Sequence, residues 1–169
     1  MDSRLHLVSA FDDAGSVPSA PSPIRVVLAD DHALVRRSLR GLLDGVDDIE
    51  VVGEADSLES VEREVGLHQP HVLALDLGMH DGSTGIESIG RLRECGLGTT
   101  VVGMTMQDEP VFARHALIAG VAGFVSKHLA DVELVQAIRA AARGEQFVSP
   151  RFAGRLQTCP GPHPGLSTR

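Results

Sequence analysis

Val72-Leu73-Ala74-Leu75-Asp76 decides the fold of this chain. Four apolar residues run unbroken into one acid, and Leu77-Gly78-Met79-His80-Asp81-Gly82-Ser83 after them is loop-like. A short continuous apolar run suits a strand covered on both faces, as in a parallel sheet. In an open α/β sheet ligands collect beyond the carboxyl ends of the strands. Asp76 stands at such an end, where a carboxylate can coordinate a cation, act as a nucleophile or simply cap the next helix.

Outward from this stretch, strands and helices alternate. Ile24–Ala29 is a strand rich in β-branched residues that ends at Asp30-Asp31. A helix follows, with Leu34, Leu39, Leu42 and Leu43 as its apolar stripe and Arg36, Arg37 and Arg40 beside it, and Asp44-Gly45 stops it. Ile49–Glu54 is the next strand, and Ser57 caps a helix containing Leu58, Val61, Val65 and Leu67 that ends by Pro70. After the central strand, His71–Asp76, a helix over Thr84–Cys95 turns Ile86, Ile89 and Leu92 inward. Thr100–Met104 is the fourth strand, closing at Thr105; Pro110–Ala119 is a helix with Pro in its first turn, ended by Gly120. Ala122–Ser126 is the fifth strand, closing at Lys127, and Asp131–Arg143 is an amphipathic last helix. Five such alternations predict an α/β fold, a parallel sheet with helices on both faces joined by right-handed crossovers.

The flanks differ in composition. Residues 1–23, ending Ser16-Val17-Pro18-Ser19-Ala20-Pro21-Ser22-Pro23, read as a disordered leader. Residues 24–145 form the domain, and residues 146–169, loose again from Thr158 to Pro164, read as a linker or tail. At 169 residues the chain is long enough to bury a core without staples, and 3% aromatic content with no Trp or Tyr implies an aliphatic one. A net charge of −8 argues against a nucleic-acid surface. Cys95 and Cys159 form no metal or redox spacing, which fits a reducing cytosol, and the chain shows neither a signal peptide nor a membrane span.

Four of the five strands end in chemically useful groups, namely Asp30-Asp31, Asp76, Thr105 and Lys127, all on one rim of the sheet. Crowded carboxylates repel and call for a cation, and hard oxygen ligands suit Mg²⁺. A Lys beside them suits an anion that arrives with the metal, such as a phosphoryl group, to which a Thr hydroxyl can also donate. The histidines, including His32, His68, His115 and His163, show no ligand-like spacing, and a solvated or core-edge place is expected for each.

From about residue 24 to residue 156 the chain resembles the receiver domain of a bacterial two-component response regulator. The matching stretches are Val27-Leu28-Ala29-Asp30-Asp31-His32-Ala33-Leu34-Val35-Arg36, Pro70-His71-Val72-Leu73-Ala74-Leu75-Asp76-Leu77, Met104-Thr105-Met106 and Gly120-Val121-Ala122-Gly123-Phe124-Val125-Ser126-Lys127. The Asp-Asp-His opening and the ending Ala137-Ile138-Arg139…Gly144-Glu145-Gln146-Phe147-Val148-Ser149-Pro150 point to the NarL/FixJ-like subgroup. The resemblance implies a flavodoxin-like (βα)5 sandwich, five parallel strands in the order 2-1-3-4-5. It implies that Asp76 accepts a phosphoryl group from a histidine kinase or phosphotransfer protein. Asp31, Asp76 and the Gly78 carbonyl would hold Mg²⁺, with Asp30 acting through water. Lys127 and Thr105 would engage the phosphoryl oxygens, and Phe124 would turn inward as Thr105 moves.

Such chains usually continue into a LuxR-type helix-turn-helix, and Gly165-Leu166-Ser167-Thr168-Arg169 resembles its opening, or is simply linker. A cytoplasmic switch that can pair as a homodimer and itself binds neither DNA nor membrane is the function implied. His80 in place of the usual Pro, one added residue between Asp76 and Glu87, and His128 in place of an acid after Lys127 depart from the pattern. Other readings are a dimerising module that no longer takes phosphate, an aspartyl-nucleophile phosphatase, which would want an acid where Gly78 stands, and a flavin carrier, which would want aromatics that are missing.

Overall fold

The computed structural model describes residues 22–79, 89–90, 98–106 and 110–156. Six parallel strands form one sheet: β1 (Ile24–Ala29), β2 (Ile49–Ala55), β3 (Val72–Asp76), β4 (Thr100–Thr105), β5 (Gly123–Ser126) and β6 (Phe147–Val148), in the order β2-β1-β3-β4-β5-β6. The helices are α1 (Ala33–Asp44), α2 (Leu58–His68), α3 (Pro110–Ala119), α4 (Ala130–Ala142) and α5 (Pro150–Leu156), with a 3-10 turn at Lys127–Leu129. Residues 89 and 90 are helical; the rest of the helix expected over Thr84–Cys95, and the loop around His80, lie outside the described residues.

The continuous apolar run of β3 is explained by burial on both faces. Val72 and Ala74 pack with Val26 and Leu28 of β1 under α1 and α4, through Leu39, Leu43, Leu134 and Ile138. Leu73 and Leu75 pack with Val27 and Ala29 against α2, α3 and α5, through Val61, Val65, Ala113, Ala116 and Phe152. Each large side chain so buried contributes about 1.5–3 kcal/mol. Side chains alternate between faces with period two, so a strand whose faces are both covered shows no polar position.

Local signals set the helix ends. Ser57 accepts a hydrogen bond from the Ser60 N–H, and the Ser60 hydroxyl accepts one from the Ser57 N–H, a capping box with Ser in the place usually taken by Glu. Gly120 follows α3 with φ of 99°, a conformation that disfavours any side chain. A Cβ on Gly103 would stand 2.7 Å from Leu77 Cδ1, so any side chain there would require Leu77 to shift.

One expectation needs correction, and two features extend the fold. Leu34 is 76% exposed; the buried stripe of α1 runs through Leu39 and Leu43, with Val35 packed beside them. The sheet has a sixth strand, since Phe147 and Val148 register beside Gly123 and Phe124 of β5. Residues 147–156 continue the fold into α5, and Phe152 is wholly buried in the core. Two residues are too few for a periodic signal, and the burial of Phe152 depends on α3 and β5, which sequence order does not place beside it.

Candidate functional site

The parallel sheet carries Asp30, Asp76, Thr105 and Lys127 to one edge because each lies at, or one residue beyond, the carboxyl end of its strand. Register holds the ends level, with Asp76 beside Met104 and Thr105 beside Ser126. Lys127 Nζ lies 2.6 Å from Asp30 Oδ2 and 2.6 Å from Asp76 Oδ2. All three side chains are buried, the lysine with only 4% exposure. Two buried carboxylates this near need a positive charge, and the ammonium provides it.

Their other polar atoms are also engaged. Asp76 Oδ1 accepts the Gly78 N–H at 2.9 Å, which curls the chain after β3 around the carboxylate. Asp30 Oδ1 accepts the His32 N–H at 2.8 Å, and the Asp30 carbonyl accepts from Arg36 Nη1 at 2.5 Å. Arg36 Nε lies 3.3 Å from Glu54 Oε2, so this α1 guanidinium ties the end of β1 to β2. Asp31 sits higher, its side chain 28% exposed, with His32 Nδ1 2.7 Å from its Oδ1. One ligand atom from each of Asp30, Asp31, His32 and Asp76 lies within 4.8 Å of the others. Three carboxylates converging at that range fit a small hard cation.

The groups open on a cavity of about 230 Å³ lined by His32, Val35, Asp76, Gly78, Thr105, Met106 and Lys127. Apolar Val35 and Met106 flank polar groups that converge on one point, a form suited to a compact anion. Thr105 is buried at the end of β4 beside this space. Phe124 lies one layer deeper, wholly buried and paired in register with Gly103, two residues before Thr105.

A profile described as the response regulator receiver domain matches residues 26–139. The chain belongs to the response-regulator receiver family. It is 34% identical over 134 residues to the oxygen regulatory protein NreC of Staphylococcus carnosus, a match covering 79% of this chain and 61% of that one. To the response regulator GacA of Pseudomonas viridiflava it is 36% identical over 133 residues, covering 79% and 62%. Among solved structures, the signal receiver domain of the putative response regulator NarL from Mycobacterium tuberculosis superposes with a TM-score of 0.70 at 34% identity. That match covers 74% of this chain and all of the other. The receiver thus spans about three-fifths of the length of these curated relatives. It is a receiver of two-component signalling, with the flavodoxin-like sheet extended by β6. Among the described residues, no helix is long and apolar enough to cross a membrane.

The structure gathers Asp30, Asp31, Asp76, Gly78, Thr105 and Lys127 around one cavity edge, and sets Phe124 below it. For Gly78 it is the N–H that meets Asp76. Two further residues join the site. His32 lines the cavity and contacts Asp31, and the signal available was its adjacency to the Asp pair. Arg36 had been read only as a polar flank of α1; it lies one helical turn beyond His32, near enough to reach back to Asp30. Of the other histidines, His68 pairs with Glu64 at 3.3 Å, His115 is exposed, and His163 lies outside the described residues.

Proposed function

We propose that Asp76 is the phosphoacceptor of this receiver, taking its phosphoryl group from the phosphohistidine of a histidine kinase or phosphotransfer protein. The observation that carries this reading is the Lys127 ammonium, 2.6 Å from both Asp30 Oδ2 and Asp76 Oδ2 at the mouths of neighbouring strands. In the transfer, an Asp76 carboxylate oxygen attacks phosphorus. The new P–O bond forms as the P–N bond breaks, and the electron pair stays on the imidazole nitrogen of the donor. Lys127 exchanges its contact with Asp76 for a phosphoryl oxygen, and the Thr105 hydroxyl donates to another.

Asp31 and Asp76, with the Gly78 carbonyl, would hold Mg²⁺, and Asp30 would act through water. When bound, the ion supplies positive charge against the phosphoryl oxygens. Asp30's oxygens are already engaged by Lys127 and the His32 N–H, which supports its acting through water, and the partial exposure of Asp31 suits direct ligation. The product is a changed conformation. The phosphoryl group draws Thr105 inward, Phe124 fills the space this leaves, and the altered surface is read by a partner or by a second copy. A net charge of −8 argues against a duplex-DNA surface on this receiver.

Intact mass after incubation with acetyl phosphate and Mg²⁺ tests the proposal. One phosphoryl group adds to the wild type and none to Asp76→Asn, whose circular dichroism stays unchanged. Equal labelling of the variant would move the acceptor elsewhere.

A further inference from the structure

Phe124 continues into contacts beyond the five central strands. Its ring meets that of Phe152 edge to face, with centroids 4.9 Å apart and planes at 80°. Both side chains are wholly buried. Phe152 belongs to α5, which follows β6, and the Ser149 N–H at that junction donates to the Phe124 carbonyl at 3.0 Å. The segment is therefore attached to Phe124 twice, once through the main chain and once through the ring. Ala113 and Ala116, the small buried residues of α3, belong to the same apolar cluster as both rings and leave room for α5 to lie close.

We propose that Phe152 is the coupling residue that passes the state of the Asp76 site from Phe124 to α5 and the chain beyond it. This rests on the reading of Asp76 as phosphoacceptor and of Thr105 and Phe124 as its readers. Protein interiors are close-packed, so a ring met by another ring cannot swing without the neighbour following or losing its edge contact. A helix of seven residues is too short to hold itself together in water, so α5 is ordered by what it packs against. Movement of Phe124 therefore changes the local stability of α5, a quantity that amide exchange reads segment by segment. The receiver thereby signals along its own chain, in addition to any surface it presents to a partner.

Hydrogen exchange by mass spectrometry on the full chain with Mg²⁺, with and without beryllofluoride as the phosphoryl mimic, tests this. In the wild type the mimic changes exchange around residues 104–106 and, several-fold, in residues 147–156. In Phe152→Leu and Phe152→Met, which keep most of the packed volume, the change at 104–106 persists and that at 147–156 falls to a small fraction. Phe124→Leu gives the same loss, and the double variant Phe124→Leu/Phe152→Leu adds little to either single one. A wild type that responds at 104–106 and not at 147–156 overturns the coupling, as does a Phe152→Leu variant with the full response. No response at any segment, together with no labelling by acetyl phosphate, overturns the phosphoacceptor reading and the coupling with it.

Discussion

On the sheet face covered by α1 and α4, the wholly buried core is aliphatic, built from residues such as Leu28, Leu43, Met104, Leu134 and Ile138. On the face covered by α2, α3 and α5, the core also holds two rings packed edge to face, Phe124 and Phe152. The first face supplies the groups that hold the acids in place, Arg36 from α1 and Lys127 at the entry to α4. The second supplies the groups able to report on them. Shape-matched aliphatic packing suits a fixed geometry, whereas a buried ring with discrete orientations suits a two-state element. On the proposed reading, the division would let one carboxylate be held rigidly enough to react and yet be coupled to α5.

The largest effect expected of that division comes from Lys127. Lys127→Met leaves Asp30 and Asp76 buried without their shared cation, costing about 3–5 kcal/mol in denaturant unfolding. Mg²⁺ returns positive charge to the acids, so the deficit narrows when it is added. A deficit that ignores Mg²⁺ would break the assignment of these acids to a cation site.

Gly103→Ala tests whether the second face also shapes the site. A Cβ there would crowd Leu77, which directly follows Asp76 and packs in the second core. Overpacking of this kind costs about 1–3 kcal/mol, and the Gly78 N–H would be shifted from Asp76 Oδ1. Calorimetry should show weaker Mg²⁺ binding as well as lower stability. Lower stability with unchanged Mg²⁺ affinity would sharpen the division, confining the site's geometry to the first face.

Smaller again is Arg36→Met, which removes the clamp on the Asp30 carbonyl and the contact with Glu54. About 1 kcal/mol of stability is expected to go with these bonds, with a few-fold loss of Mg²⁺ affinity and no change in the exchange of residues 147–156. A change in that segment's exchange would show that the first face also transmits.

The smallest effect lies at the end of the first face away from the site. Arg139 donates to both oxygens of Asp48, at 2.8 and 2.6 Å, and this guanidinium holds the Asp48 carboxyl below its ordinary range. A lowered folded-state pKa stabilises above the unfolded value and ceases to as pH falls through the folded one. Asp48→Asn should therefore cost a little stability at neutral pH and nothing in strong acid, by thermal unfolding across pH. The pair is exposed, so Mg²⁺ binding should not change.

How far the sequence could be read follows from the same physics. β1 and α3 stand where their apolar runs, caps and breakers put them, and β3 differs by one residue. Asp30, Asp76, Thr105 and Lys127 could be gathered in advance because a parallel sheet brings all its strand ends to one edge. Leu34 was misplaced because an apolar residue at helical spacing can still face water at the edge of the stripe. His32 and Arg36 were missed because their partners are set by the turn between β1 and α1, whose geometry no periodicity encodes. β6 and α5 were missed because two residues and seven carry too little pattern, and because Phe152 takes its meaning from Phe124 across the sheet edge.

The most direct test of the account is chemical trapping of the phosphorylated residue. The wild type is labelled with acetyl phosphate and Mg²⁺, reduced with borohydride, which converts an aspartyl phosphate to homoserine, and mapped by peptide mass spectrometry. Homoserine at position 76, with Asp30 and Asp31 intact, is the predicted result. Homoserine at position 30 or 31, or a phosphoryl group that survives reduction on another side chain, would contradict the central claim that the carboxylate ending β3 is the one that reacts.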